Sequence, residues 1–78
     1  MKVEILGTGC ARCQQLTANA KAAIDQLGVN AELVKVEDVP SIMAYGVLRT
    51  PALVVNGQVR ASGRVATADE IAQLITQA

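Results

Sequence analysis

The sequence predicts a small α/β fold with the element order β-α-β-α-β-β-α, and three observations carry that reading. A short alternating segment, Lys2 to Leu6, runs through a glycine turn into Cys10-Ala11-Arg12-Cys13, which opens a long helical pattern ended by Gly28. Asn56-Gly57 separates two short strand-like segments, a hairpin signal because both residues tolerate positive φ. Thr67-Ala68-Asp69-Glu70 reads as a capping box before a last helix with an apolar face.

Each element follows in order. In Lys2–Leu6, Val3 and Ile5 alternate with Lys2 and Glu4, the period of a strand. Gly7-Thr8-Gly9 is a turn that permits close backbone approach. From Ala11 to Leu27 the residues Leu16, Ala20, Ala23, Ile24 and Leu27 keep helical spacing. Leu33, Val34 and Val36 make Ala31 to Val36 a second strand. Asp38-Val39-Pro40 starts a short helix, with Ile42, Met43 and Tyr45 expected on its buried side and Gly46 at its end. Ala52–Val55 and Gln58–Ala61 form the hairpin, Ser62-Gly63-Arg64 a loop, and Ile71, Leu74 and Ile75 the inner face of the last helix. Two strands flanking a helix pair in parallel through a right-handed crossover. The expected architecture is therefore one domain, residues 1–78, with a mixed four-stranded sheet of order 2-1-3-4 and helices on both faces.

Composition narrows the chemistry. About half of the 78 residues are apolar, and Tyr45 is the single aromatic residue, so the core is aliphatic. The chain has no His, which removes the commonest general base and the commonest zinc ligand. Seven basic and seven acidic residues are interspersed, giving a formal charge of zero. No basic run points to nucleic acid or an anionic membrane. No apolar run approaches the roughly 20 residues that span a bilayer. No cationic and apolar leader precedes the first strand, so a cytoplasmic protein is expected.

Two thiols three residues apart can share one helical turn and close a disulfide with little backbone change. Cys10 falls where the helix begins, and free N–H groups there favour negative charge, hence thiolate. Spacing alone leaves three readings of the pair: redox chemistry, metal binding, or a silent pair. Its place after a strand and at the head of a helix, within a βαβ unit, favours the first. Arg12 either assists the Cys10 thiolate electrostatically or is a solvated first-turn residue. Glu4, Glu32 and Glu37 are acids near the motif by position, each expected on the solvated surface.

Four segments together resemble the thioredoxin superfamily, and most closely its small redox-active disulfide proteins of bacteria and archaea. They are Gly7-Thr8-Gly9-Cys10-Ala11-Arg12-Cys13, Tyr45-Gly46-Val47, Thr50-Pro51-Ala52-Leu53-Val54-Val55-Asn56-Gly57 and Gly63-Arg64-Val65-Ala66, in family order along the whole chain. The resemblance implies a thioredoxin-like fold and a cis Thr50–Pro51 bond beside the cysteines. It also implies a substrate-binding edge at Thr50 and Pro51, where an extended target pairs with backbone and the Thr50 side chain tunes access. Gly63 matches a glycine bordering the same surface. Larger thioredoxins have an aromatic residue before the motif and Gly-Pro within it, where this chain has Gly9 and Ala11-Arg12.

The expected activity is thiol–disulfide exchange. Cys10 attacks a target disulfide and Cys13 resolves the mixed disulfide, with no cofactor or metal beyond the dithiol. The expected partners are a disulfide-containing protein and an unidentified reductase. Two rivals stand beside this reading. One is a copper-chaperone-like module, in which two thiolates hold Cu(I). Such proteins end in a strand and lack an equivalent of Thr50-Pro51. The other is a non-catalytic interaction domain on the same fold, against which the intact cysteine pair weighs.

Overall fold

The computed structural model describes residues 1–77. Seven elements follow in order: β1 (Lys2–Leu6), α1 (Ala11–Leu27), β2 (Glu32–Val36), α2 (Val39–Ala44), β3 (Ala52–Val55), β4 (Gln58–Ser62) and α3 (Ala68–Thr76). They form a four-stranded sheet of order β2-β1-β3-β4. β1 pairs with β2 in parallel and with β3 antiparallel, and β3 pairs antiparallel with β4. The order, the pairing and the strand directions are those the sequence predicts. The fold is thioredoxin-like.

Alternation along β1 and β3 divides the core in two. On one face Val3, Ile5, Leu53 and Val55 meet Leu16, Ala20 and Ala23 of α1 and Ile71, Ala72 and Ile75 of α3. On the other, Leu6, Ala52 and Val54 meet Ile42 of α2 and Val47. Both faces of the central strands are covered, so β3 reads as an unbroken apolar run with all four residues buried. Asn19 Nδ2 donates to the Ala66 carbonyl at 2.9 Å and fixes α1 against the approach to α3.

The turns follow their residues. Gly28 ends α1 in the left-handed region at φ 65°, a conformation that favours glycine. Asn56 and Gly57 carry φ of 51° and 82°, as the two-residue hairpin requires. Asp38 caps α2 by accepting from the Ser41 N–H at 3.1 Å, with Pro40 in the first turn.

The structure departs from the sequence reading in six places. β2 begins at Glu32 rather than Ala31, and β4 extends to Ser62. The register slips between Leu53 and Val54, which pair with Ala61 and Val59, so Arg60 is the extra residue of a bulge. Met43 is 64% exposed, because α2 is too short to bury more than the side containing Ile42. Only half of the capping box forms: Thr67 Oγ1 accepts from the Glu70 N–H at 3.2 Å, but the Glu70 carboxylate turns to Arg64. Glu4 is buried at 6% exposure. It lies on the same side of β1 as Leu6, under α2, where Lys2 Nζ approaches at 3.2 Å and the Tyr45 hydroxyl donates to it.

The two-sided core sets a stability contrast. Leu53 is fully buried and Leu48 is 94% exposed. Leu53→Ala is expected to cost about 2–5 kcal/mol in urea unfolding. Leu48→Ala is expected to change stability by less than about 0.5 kcal/mol. Comparable losses for the two variants would contradict this packing.

Candidate active site

The site forms where β1 gives way to α1. Gly7 closes the strand, its N–H donating to the Val36 carbonyl at 3.0 Å. Thr8 and Gly9 then turn the chain, and Cys10 takes the N-cap position of α1 with extended backbone (φ −69°, ψ 169°). The Gln14 N–H donates to the Cys10 carbonyl at 3.0 Å, and Gln14 Nε2 donates to the Gly9 carbonyl at 3.2 Å. An N-cap residue usually accepts a backbone N–H through a side-chain oxygen. Here the acceptor is sulfur: the Cys13 N–H donates to Cys10 Sγ at 3.4 Å.

One turn on, Cys13 is buried at 4% exposure, while Cys10 is exposed. Both are free thiols, with their sulfurs 2.8 Å apart. The Cys10 thiol is held below the ordinary thiol range, first by the Cys13 side chain donating to its sulfur and then by the Cys13 backbone N–H. The Cys13 thiol is pushed up, first by burial and then by the same sulfur–sulfur hydrogen bond. One interaction thus moves the two groups apart. Of the pair, Cys10 loses its proton first and Cys13 keeps it.

Gly7 sets the position of Cys13, a role that sequence reading did not assign to it. A Cβ on Gly7 would collide with Cys13 Sγ and also lie 3.2 Å from Cys13 Cβ. Gly7 is outside the positive-φ region, so its backbone would accept an ordinary side chain. What glycine supplies here is room for sulfur. The Thr50 Cβ lies 3.9 Å from the same point, which brings the loop before β3 beside the cysteine pair.

The Thr50–Pro51 peptide bond is cis. Pro51 is buried and Thr50 half-buried. The Gly63 N–H donates to the Pro51 carbonyl at 2.9 Å, with Gly63 at φ 74°. Arg12 is exposed, and its Nη2 donates to the Gly63 carbonyl at 3.1 Å. Its guanidinium is thus directed to the Gly63 loop, and it is the Arg12 backbone that contributes to lowering the Cys10 thiol. Cys10, Cys13, Arg12, Thr50, Pro51 and Gly63 therefore come together at one edge of the domain. Glu32 and Glu37 are exposed, as expected of them; the burial of Glu4 overturns its surface assignment.

A cavity of about 350 Å³ adjoins the pair on the β2 side, lined by Thr8, Cys13, Gln14, Lys35 and Glu37 among others. A larger cleft of about 610 Å³ lies between the last turn of α1 and the length of α3, lined by Leu27, Asp69 and Gln73 among others and by neither cysteine. Among the described residues no group of three or more His, Cys, Asp or Glu side chains is arranged to hold a metal. No helix among them is long and apolar enough to cross a membrane.

Comparison with known proteins agrees with this geometry. The thioredoxin domain family model matches residues 1–76. A thioredoxin of Methanothermobacter thermautotrophicus is 41% identical over 76 residues, covering 97% of this chain and 99% of that relative. A thioredoxin of Methanocaldococcus jannaschii is 38% identical over 69 residues, covering 88% of this chain and 79% of that relative.

The fit between Gly7 and Cys13 is open to direct test. In the reduced protein, iodoacetamide under native conditions should label Cys10 and spare Cys13. Gly7→Ala should displace the Cys13 sulfur and raise its labelling rate at least about tenfold, with circular dichroism confirming that the variant is folded. A folded Gly7→Ala protein with Cys13 still protected would show that the space is not needed.

Proposed function

The chain belongs to the thioredoxin family, and on that premise we propose that it reduces disulfide bonds by thiol–disulfide exchange through Cys10 and Cys13. The observation that carries the proposal is the split within the pair: an exposed sulfur favoured as thiolate, 2.8 Å from a buried sulfur that retains its proton.

The reaction proceeds in two displacements. The Cys10 thiolate attacks one sulfur of a target disulfide. The target bond breaks, its second sulfur leaves as thiolate and takes a proton from water, and a mixed disulfide forms through Cys10. Cys13 then gives its proton to water and attacks Cys10 Sγ. The mixed disulfide breaks, the remaining target sulfur leaves as thiolate, and a Cys10–Cys13 disulfide closes. Two electrons pass from the dithiol to the target. Once Cys10 is bonded to the target its sulfur carries no charge, so the hydrogen bond that kept the proton on Cys13 weakens when Cys13 must react.

Thr50, which lies beside Gly7 and Cys13, together with Pro51 and Gly63, bonded to each other, would form the edge on which an extended target segment lies. The oxidised pair is returned to the dithiol by a separate reductase, and the cycle calls for no cofactor beyond the two thiols. A cytoplasmic setting, where thiol pools hold such pairs reduced, suits this direction of transfer.

The order of attack predicts opposite behaviour for two variants. Cys13→Ser, mixed with a disulfide-bonded protein such as insulin, should accumulate a covalent complex that a reducing agent dissolves. Cys10→Ser should accumulate none. Complexes formed through Cys13 in the Cys10→Ser protein would reverse the assignment, and none in either variant would remove the exchange activity itself.

A further inference from the structure

Two of the four arginines of the chain, Arg12 and Arg49, meet at one residue, Gly63. Arg12 donates to the Gly63 carbonyl at 3.1 Å. The stem of Arg49 lies over the Gly63 Cα: a Cβ there would be 3.1 Å from Arg49 Cβ and 3.4 Å from Arg49 Cδ. Arg64 follows Gly63 in sequence. Arg12 lies two residues after Cys10 and Arg49 two before Pro51, so the two arginines belong to the segments that carry the nucleophile and the target-binding edge.

The acidic groups nearby do not cancel them. Glu70 pairs with Arg64. Among the described residues neither Arg12 nor Arg49 takes part in an ion pair. Glu37 and Asp38 lie on the opposite flank, after β2. Glu37 Oε2 is 3.8 Å from where a Cβ on Gly9 would sit, and Lys35 lines the same cavity as Glu37. The surface around Cys10 is therefore polarised, positive on the Gly63 side.

Guanidinium groups present planar forks that pair with carboxylates in two-point hydrogen bonds. On an exposed edge such charges act mainly by steering encounter, an effect that falls with ionic strength.

We propose that Arg12 and Arg49, meeting at Gly63, form an anion-recognition patch that selects target protein segments carrying Asp or Glu beside the half-cystine. This rests on Cys10 being the attacking thiol. The patch confers preference among disulfides, not the ability to reduce them. A cysteine flanked by lysines would meet like charge on the Gly63 side and react more slowly.

The test uses three disulfide-linked peptide dimers, identical except that the residues flanking the cysteine are Asp, Ser or Lys. Rates of reduction by the pre-reduced protein are measured at about 20 mM and about 500 mM salt. The readout is the ratio of the Asp-peptide rate to the Lys-peptide rate. A change in the reactivity of Cys10 itself cancels from it. The wild-type ratio at low salt is expected to exceed that of Arg12→Gln/Arg49→Gln by about tenfold, and most of that excess should vanish at high salt. Lys21→Gln, an exposed change on α1 away from Gly63, should keep the wild-type ratio. The same ratio in wild type and the double variant would overturn the patch, as would an equal fall in Lys21→Gln. No reduction of any peptide by the wild-type protein would instead fault the exchange reading on which the patch rests.

Discussion

The Cys13 sulfur fills the space that a side chain on Gly7 would occupy, and the chemistry of the pair depends on that fit. It buries one thiol at the junction of β1 and α1 while the other remains outside at the helix cap. Burial raises the proton affinity of the inner sulfur, and the inner thiol, donating outward, lowers that of the outer one. The asymmetry comes from a vacant Cβ position, one turn of helix and a single sulfur–sulfur contact. It uses no histidine, which this chain lacks.

The rest of the fold holds that junction still. Parallel pairing of β1 with β2 continues to the Gly7 N–H, which bonds the Val36 carbonyl and fixes where the strand ends. Antiparallel pairing with β3 places Ala52 opposite Leu6, so the residues just before β3 reach the cysteines. The Gly63–Pro51 hydrogen bond then draws the end of β4 to the same edge. Four segments far apart in sequence meet there because the order β2-β1-β3-β4 puts β1 and β3 at the centre.

Much of this was legible in the chain, for local reasons. Gly28, Asn56-Gly57 and Asp38 with Pro40 are residues whose backbone or capping preferences mark ends and turns, and the structure uses each in that way. The spacing of the cysteines and the strand before them marked the pair that the fold sets at the start of α1. What escaped depended on tertiary packing. Alternation in β1 suggested that Glu4 faces water, yet α2 covers that side and gives the carboxylate Tyr45 and Lys2 as partners. The bulge at Arg60 leaves no mark in a strand of four or five residues. Gly7 read as a turn residue, because the sulfur that requires its missing side chain arrives from six positions later.

Everything proposed for this pair rests on an unequal sharing of one proton, with Cys13 as its holder. The most direct measurement is a pH titration of the reduced protein followed by the ¹³Cβ resonances of both cysteines. Cys10 should titrate below the ordinary thiol range and Cys13 above it, with a smaller response at each sulfur as the other titrates. If Cys13 titrated first, or both titrated together at the value of a free thiol, the split on which the proposed exchange rests would be contradicted.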